Sequence, residues 1–115
     1  GGNAVDTTVS VAADPRLAEL VRRLVEAVQP RKIYLFGSRA RGDERADSDY
    51  DVMLLVDDEE ERLIDLEVRA YRSLWKFGSP VDVLVMRVEA FEQRQVVRSS
   101  LPGNVAREGR LVYAA

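Results

Sequence analysis

Three aspartates are the residues most able to do chemistry in this chain. Asp49 and Asp51 flank Tyr50 at the start of a short apolar run, and Asp82 stands near the start of another, Val81-Asp82-Val83. On a β-strand, residues two apart project from the same face, so the first two carboxylates stand roughly 6–7 Å apart along the backbone. If the two runs form neighbouring strands, all three carboxylates can converge. Crowded acids raise one another's pKa unless a cation intervenes. Two divalent ions, held about 3.5–4 Å apart by bridging carboxylates, would resolve that conflict. The chain contains no cysteine and no histidine. Disulfides, thiol nucleophiles, Cys/His zinc sites and imidazole proton shuttles are therefore excluded. Any metal must be oxygen-ligated, which makes magnesium the natural choice, with manganese and calcium behind it.

A second cluster precedes the first aspartate pair. Gly37-Ser38-Arg39-Ala40-Arg41-Gly42 follows directly on the aliphatic and aromatic run Ile33-Tyr34-Leu35-Phe36. Glycine lets a backbone approach a ligand closely, and free N–H groups where a helix opens favour an anion. The Ser38 hydroxyl can donate to a phosphate oxygen, while Arg39 and Arg41 can neutralise a polyphosphate. No lysine follows the last glycine and the spacing is wrong, so the segment is not a P-loop, and it is not a dinucleotide-binding fingerprint either. Each piece alone has a plainer reading: a turn, a strand-end cap, an edge-strand charge. Their combination is what carries weight.

The elements that must position these residues follow from the hydrophobic pattern. Asp14-Pro15 reads as a helix cap followed by proline in the first turn. Leu17, Leu20, Val21, Leu24 and Val28 continue at helical spacing until Pro30. Residues 32–36 form a buried strand, and 37–48 a loop with one helical turn opening at Ser38. Residues 50–56 form a second strand whose period of two aligns Asp49, Asp51, Met53 and Leu55. The acidic run 57–61 reads as the start of a helix carrying Leu63, Leu66, Ala70, Leu74 and Phe77, with Lys76 and Gly78 near its end. Tyr71 and Trp75 read as core residues of that helix. Residues 81–86 form a third strand, 88–98 a weaker helix, Pro102-Gly103 starts a short helix closed by Gly109, and 111–113 a last strand. One sheet with helices packed against it follows, an α/β (α+β) arrangement.

At 115 residues and a net charge of −3 the chain has room for one domain. Residues 1–13, small and polar, read as a flexible N-terminal arm, and 14–115 as the folded domain. A mildly acidic chain is poorly suited to nucleic acid, so no direct nucleic-acid binding is expected. No apolar run approaches the ~20 residues of a membrane span, and no signal peptide is visible. A cytoplasmic protein without membrane contact is expected.

Taken in order, Gly37-Ser38-Arg39-Ala40-Arg41-Gly42, Ser48-Asp49-Tyr50-Asp51-Val52, Val81-Asp82-Val83 and the ending Glu108-Gly109-Arg110-Leu111-Val112-Tyr113 resemble the minimal nucleotidyltransferases of the DNA polymerase β-like superfamily. The resemblance implies a small mixed β-sheet flanked by helices. It implies that Gly37 and Ser38 hold the β- and γ-phosphates of a nucleoside triphosphate. Asp49 and Asp51 would bridge two magnesium ions, and Asp82 would ligate the catalytic ion and accept the proton of an attacking hydroxyl. Arg39 and Arg41 are added as phosphate contacts. Chains of this length are similar to the antitoxin halves of HEPN/minimal nucleotidyltransferase modules. That similarity implies transfer of AMP from ATP to a tyrosine of a HEPN-family toxin. The alternatives are transfer to a small-molecule alcohol such as an antibiotic, and a non-catalytic antitoxin that neutralises its partner by contact.

Overall fold

A computed structural model describes residues 14–41, 49–57 and 60–115. The expected arm at 1–13 lies outside the described residues, as do 42–48. Helix α1 (Pro15–Val28) begins where the sequence requires: the Asp14 carboxylate accepts from the backbone N–H groups of Arg16 and Leu17, each at 3.1 Å. It ends at Gln29, whose backbone turns left-handed ahead of Pro30. Leu17, Leu20, Val21, Leu24 and Val28 form its buried stripe, each contributing about 1.5–3 kcal/mol by leaving water.

Strand β1 (Lys32–Phe36) runs into the single-turn helix α2 (Ser38–Arg41), and strand β2 (Tyr50–Val56) follows. Helix α3 (Leu63–Ser73) returns the chain to strand β3 (Val81–Arg87). Helices α4 (Val88–Arg94) and α5 (Leu101–Glu108) precede strand β4 (Arg110–Ala114). The sheet has the order β3-β2-β1-β4. β1 pairs antiparallel with β2 and with β4, whereas β2 and β3 are parallel. The sheet is therefore mixed, and α3 is the crossover that parallel pairing demands.

β2 is interior and covered on both faces, which its near-continuous apolar run anticipates. Tyr50, Val52, Leu54 and Val56 join Ile33, Leu35 and Val83 in the core under α1 and α3. Met53 and Leu55 face the other way and pack with Phe91 of α4 and Val105 of α5, with Tyr34, Phe36 and Met86 around them. A one-residue slip of β2 would exchange these two sets and send Asp51 into the larger core, so packing on both faces fixes the register.

Three expectations are corrected. The acidic run does not open α3: Asp57 pairs with Arg31 at 2.6 Å, Glu61 pairs with Arg69 at 2.7 Å, and the acid of the first turn is Asp65. The weak helix at 88–98 stops at Arg94, and Ser100 instead caps α5 by accepting from the Gly103 N–H at 3.1 Å. Tyr71 and Trp75 are not core: both are exposed, because the buried face of α3 consists of Leu66 and Ala70. No helix among the described residues is long and apolar enough to cross a membrane.

Candidate active site

The three aspartates meet at one end of the sheet. Asp51 and Asp82 are register partners across the parallel β2–β3 pair, hence on adjacent strands about 4.8 Å apart. Asp51 shares its face with Met53 and Leu55, so both carboxylates lie on the α4–α5 side. Asp49 stands just before β2 and is exposed, as is Asp82, while Asp51 is half-buried. The Tyr50 N–H donates to the Pro80 carbonyl at 3.0 Å and extends the β2–β3 ladder past the pair.

The proximity shapes the electrostatics. Burial holds the Asp51 carboxyl above the usual carboxylate range, and the charges of Asp82 and then Asp49 push it further in the same direction. No cationic side chain among the described residues offsets them. A cluster of hard oxygen donors with uncompensated negative charge is the chemistry that suits a divalent cation. Among the described residues, no group of three acidic side chains is placed to hold a metal ion by itself. Magnesium is commonly held by one or two carboxylates plus substrate phosphates and water, so an incomplete protein shell fits that ion.

Gly37 abuts this cluster. It follows Phe36, the register partner of Asp51 on β1, and adopts a φ of 76° that L side chains rarely take. A side chain built there would collide with the Asp51 carboxylate. Ser38 opens α2 immediately afterwards. The side chains of Ser38 and Arg41, and all of Gly42, lie outside what is described. Arg39 lies in α2 with its guanidinium 3.9 Å from the centre of the Tyr50 ring, a close cation–π contact. Tyr50 also meets Phe77 edge-on at 6.0 Å and donates its hydroxyl to the Asp14 carboxylate at 3.3 Å. The residue between the two aspartates is thereby locked from three sides. Sequence reasoning gave Tyr50 no role, although its position between two site aspartates was a usable signal.

A cleft of about 110 Å³ opens beside Gly37, lined by Phe36, Leu101, Asn104, Val105 and Glu108. The α5 residues of this wall were not anticipated, because nothing local in their sequence marks them. The structure thus brings Asp49, Asp51, Asp82 and Gly37 together, places the Ser38 backbone beside them, and fixes Arg39 against the intervening tyrosine.

A mixed sheet with paired strand-end aspartates beside a left-handed glycine defines a class that comparison with known proteins identifies. Residues 18–114 match the family model described as polymerase beta, nucleotidyltransferase. The chain belongs to that nucleotidyltransferase family. It is similar to a candidate protein adenylyltransferase of Methanocaldococcus jannaschii, with 36% identity over 83 residues, covering 72% of this chain and 78% of the relative. Its fold is similar to a candidate nucleotidyltransferase from Sulfolobus solfataricus, with a TM-score of 0.59 and 20% identity over 99% of this chain and 89% of that one. It is also similar to a chain in a toxin–antitoxin crystal structure with AMP-PNP, with a TM-score of 0.55 and 23% identity over 84% and 72% of the two chains.

Proposed function

We propose that this chain is a metal-dependent nucleotidyltransferase that moves a nucleoside monophosphate, AMP from ATP, onto the hydroxyl of a protein tyrosine on a HEPN-family toxin, and so acts as an antitoxin. The observation that carries the catalytic part is the registered pair Asp51 and Asp82, with Asp49 adding its charge and Gly37 closing one side. The acceptor assignment is supported by the similarity to the candidate protein adenylyltransferase and by the shared fold with the toxin–antitoxin chain.

Asp49, Asp51 and Asp82 would hold two magnesium ions, which when bound neutralise the triphosphate and the charge that develops during transfer. The remaining roles belong to the chain itself. Gly37 leaves room for the Asp51 carboxylate, which any side chain there would displace from the site. Ser38 holds the β- and γ-phosphates where α2 opens, and Arg39 and Arg41 neutralise them. Asp82, exposed at the edge strand, accepts the proton of the acceptor hydroxyl as its oxygen attacks the α-phosphorus. The bond from the α-phosphorus to the bridging oxygen breaks, and pyrophosphate leaves. No histidine is required. The folded unit performing these steps spans 14–115, with 1–13 as an arm.

The test is incubation of the chain with magnesium, ATP and a HEPN-type toxin protein from the same genome, followed by intact-mass measurement. A gain of one AMP on a partner tyrosine, abolished by Asp51→Asn and Asp82→Asn in folded protein, is the expected result. AMP on a small alcohol instead would move the acceptor to that class. Transfer to nothing, with tight binding to the partner, would reduce the chain to a contact antitoxin.

A further inference from the structure

Helix α3 carries a second face that the nucleotidyltransferase chemistry does not use. Ile64 (54% exposed), Val68 and Tyr71 (each 42%) and Trp75 in the turn just after the helix (75%) are exposed. Their spacing of four, three and four places them on one stripe, away from the buried Leu66 and Ala70. Scattered exposed apolar residues are ordinary, whereas a contiguous helical stripe of this size marks a contact surface. The stripe is also rigid. The Tyr71 hydroxyl accepts from the Val83 N–H at 2.9 Å, pinning the ring to the edge strand β3. The Trp75 carbonyl accepts from Arg23 of α1 at 3.0 Å, and Lys76 lies 4.6 Å from the Trp75 ring.

The order of residues selects the occupant. The 4-3-4 spacing reads the same in both directions, so a second copy laid antiparallel sets Ile64 against Trp75 and Val68 against Tyr71. The charges along one flank are arranged for the same partner: Asp65 stands in the first half of the helix, Arg72 near its end and Lys76 in the turn beyond it. In an antiparallel pair with two-fold symmetry each flank meets its own kind, so Asp65 of one copy approaches Arg72 and Lys76 of the other. A parallel pair would instead turn this flank toward the opposite one, which carries Glu67, and lose that pairing. Asp65 pairs with Arg62, the residue that caps the helix, in an exposed ion pair open to exchange.

We propose that the α3 stripe is a self-complementary interface through which two copies of this chain associate antiparallel, Ile64 on Trp75 and Val68 on Tyr71. α3 runs back from the far end of the sheet toward the carboxylate end, so the pair leaves its two candidate active sites at opposite ends, open to their acceptors. The interface is independent of the proposed chemistry.

Sedimentation equilibrium over about 5–500 µM tests the association, because a one-helix interface is expected to dissociate in the micromolar range. The expected species has twice the 12.9 kDa chain mass. Val68→Glu should weaken association at least about tenfold by placing a charge in an apolar seam. Asp65→Arg and Arg72→Glu should each weaken it, and the double charge swap should restore it, an outcome that misfolding could not produce. The chain has no cysteine, which permits a direct test of direction: a mixture of Ile64→Cys and Trp75→Cys proteins should form a disulfide-linked dimer under mild oxidation, and each alone should not. A monomer at every concentration would overturn the proposal, as would single variants cross-linking as fast as the mixture.

Discussion

The Asp51 carboxylate fills the space that a side chain on Gly37 would occupy. This contact joins the end of β1 to the centre of the aspartate cluster, and it explains why the turn after β1 carries a glycine with φ of 76°. Gly37→Ala is expected to cost about 1–2 kcal/mol of stability through the positive φ and the overlap. Its effect on nucleotidyl transfer should be larger, about a hundredfold, because Asp51 must swing from its position. Single-turnover rates alongside urea denaturation separate the two; equal small effects on both would show that the contact does not matter to transfer.

Asp51 itself should trade stability for function. Burial and the charges of Asp82 and Asp49 raise its pKa in the folded state, so the folded chain binds that proton more tightly than the unfolded chain. The stabilisation this brings is complete below the unfolded carboxylate range and is lost as pH rises through the raised folded value. At pH 7 in chelator, Asp51→Asn should therefore melt a few degrees higher than wild type. The two curves should converge below about pH 3, where the carboxyl is protonated in both states. Added magnesium should raise the melting temperature of wild type more than that of the variant. A variant that melts lower at pH 7 in chelator would refute this account of Asp51.

Asp14 couples the first helix to the site strand. Its carboxylate caps α1 and also accepts from the Tyr50 hydroxyl at 3.3 Å. Asp14→Ala should lower unfolding stability by about 1 kcal/mol, the usual worth of such a cap, while Asp14→Asn should retain most of it. Urea titration of both variants decides, and equal losses would argue against capping as the cause.

Arg39 should act on nucleotide binding and little on folding. Its guanidinium is stacked at 3.9 Å on the Tyr50 ring, which holds the side chain in place where α2 follows Gly37. Arg39→Ala is expected to raise the KM for the nucleotide roughly tenfold with a smaller change in kcat. Arg39→Lys should recover little, because an ammonium lacks the planar stacking surface. An unchanged KM would remove Arg39 from the phosphate-binding set.

The one-dimensional pattern determined a good deal of this protein. Caps and periodicities are local, so α1 from Asp14 to Pro30 was legible in detail, and so were the apolar strands and the short helix closed by Gly109. The period of two through β2 placed Asp51 with Met53 and Leu55 because alternation is a property of the strand alone. The absence of His and Cys fixed the type of donor. Other features depended on which strands become neighbours and which helix face finds cover, and no local signal carries that information. The β2–β3 register that sets Asp82 beside Asp51, the positive φ that presses Gly37 against that carboxylate, and the α5 wall of the cleft arise from contacts between residues far apart in the chain. The same is true of Tyr71 and Trp75: they are apolar, but Leu66 and Ala70 of α3 had already taken the core side. Only the packed structure could show which of two apolar faces α3 buries and which it leaves exposed.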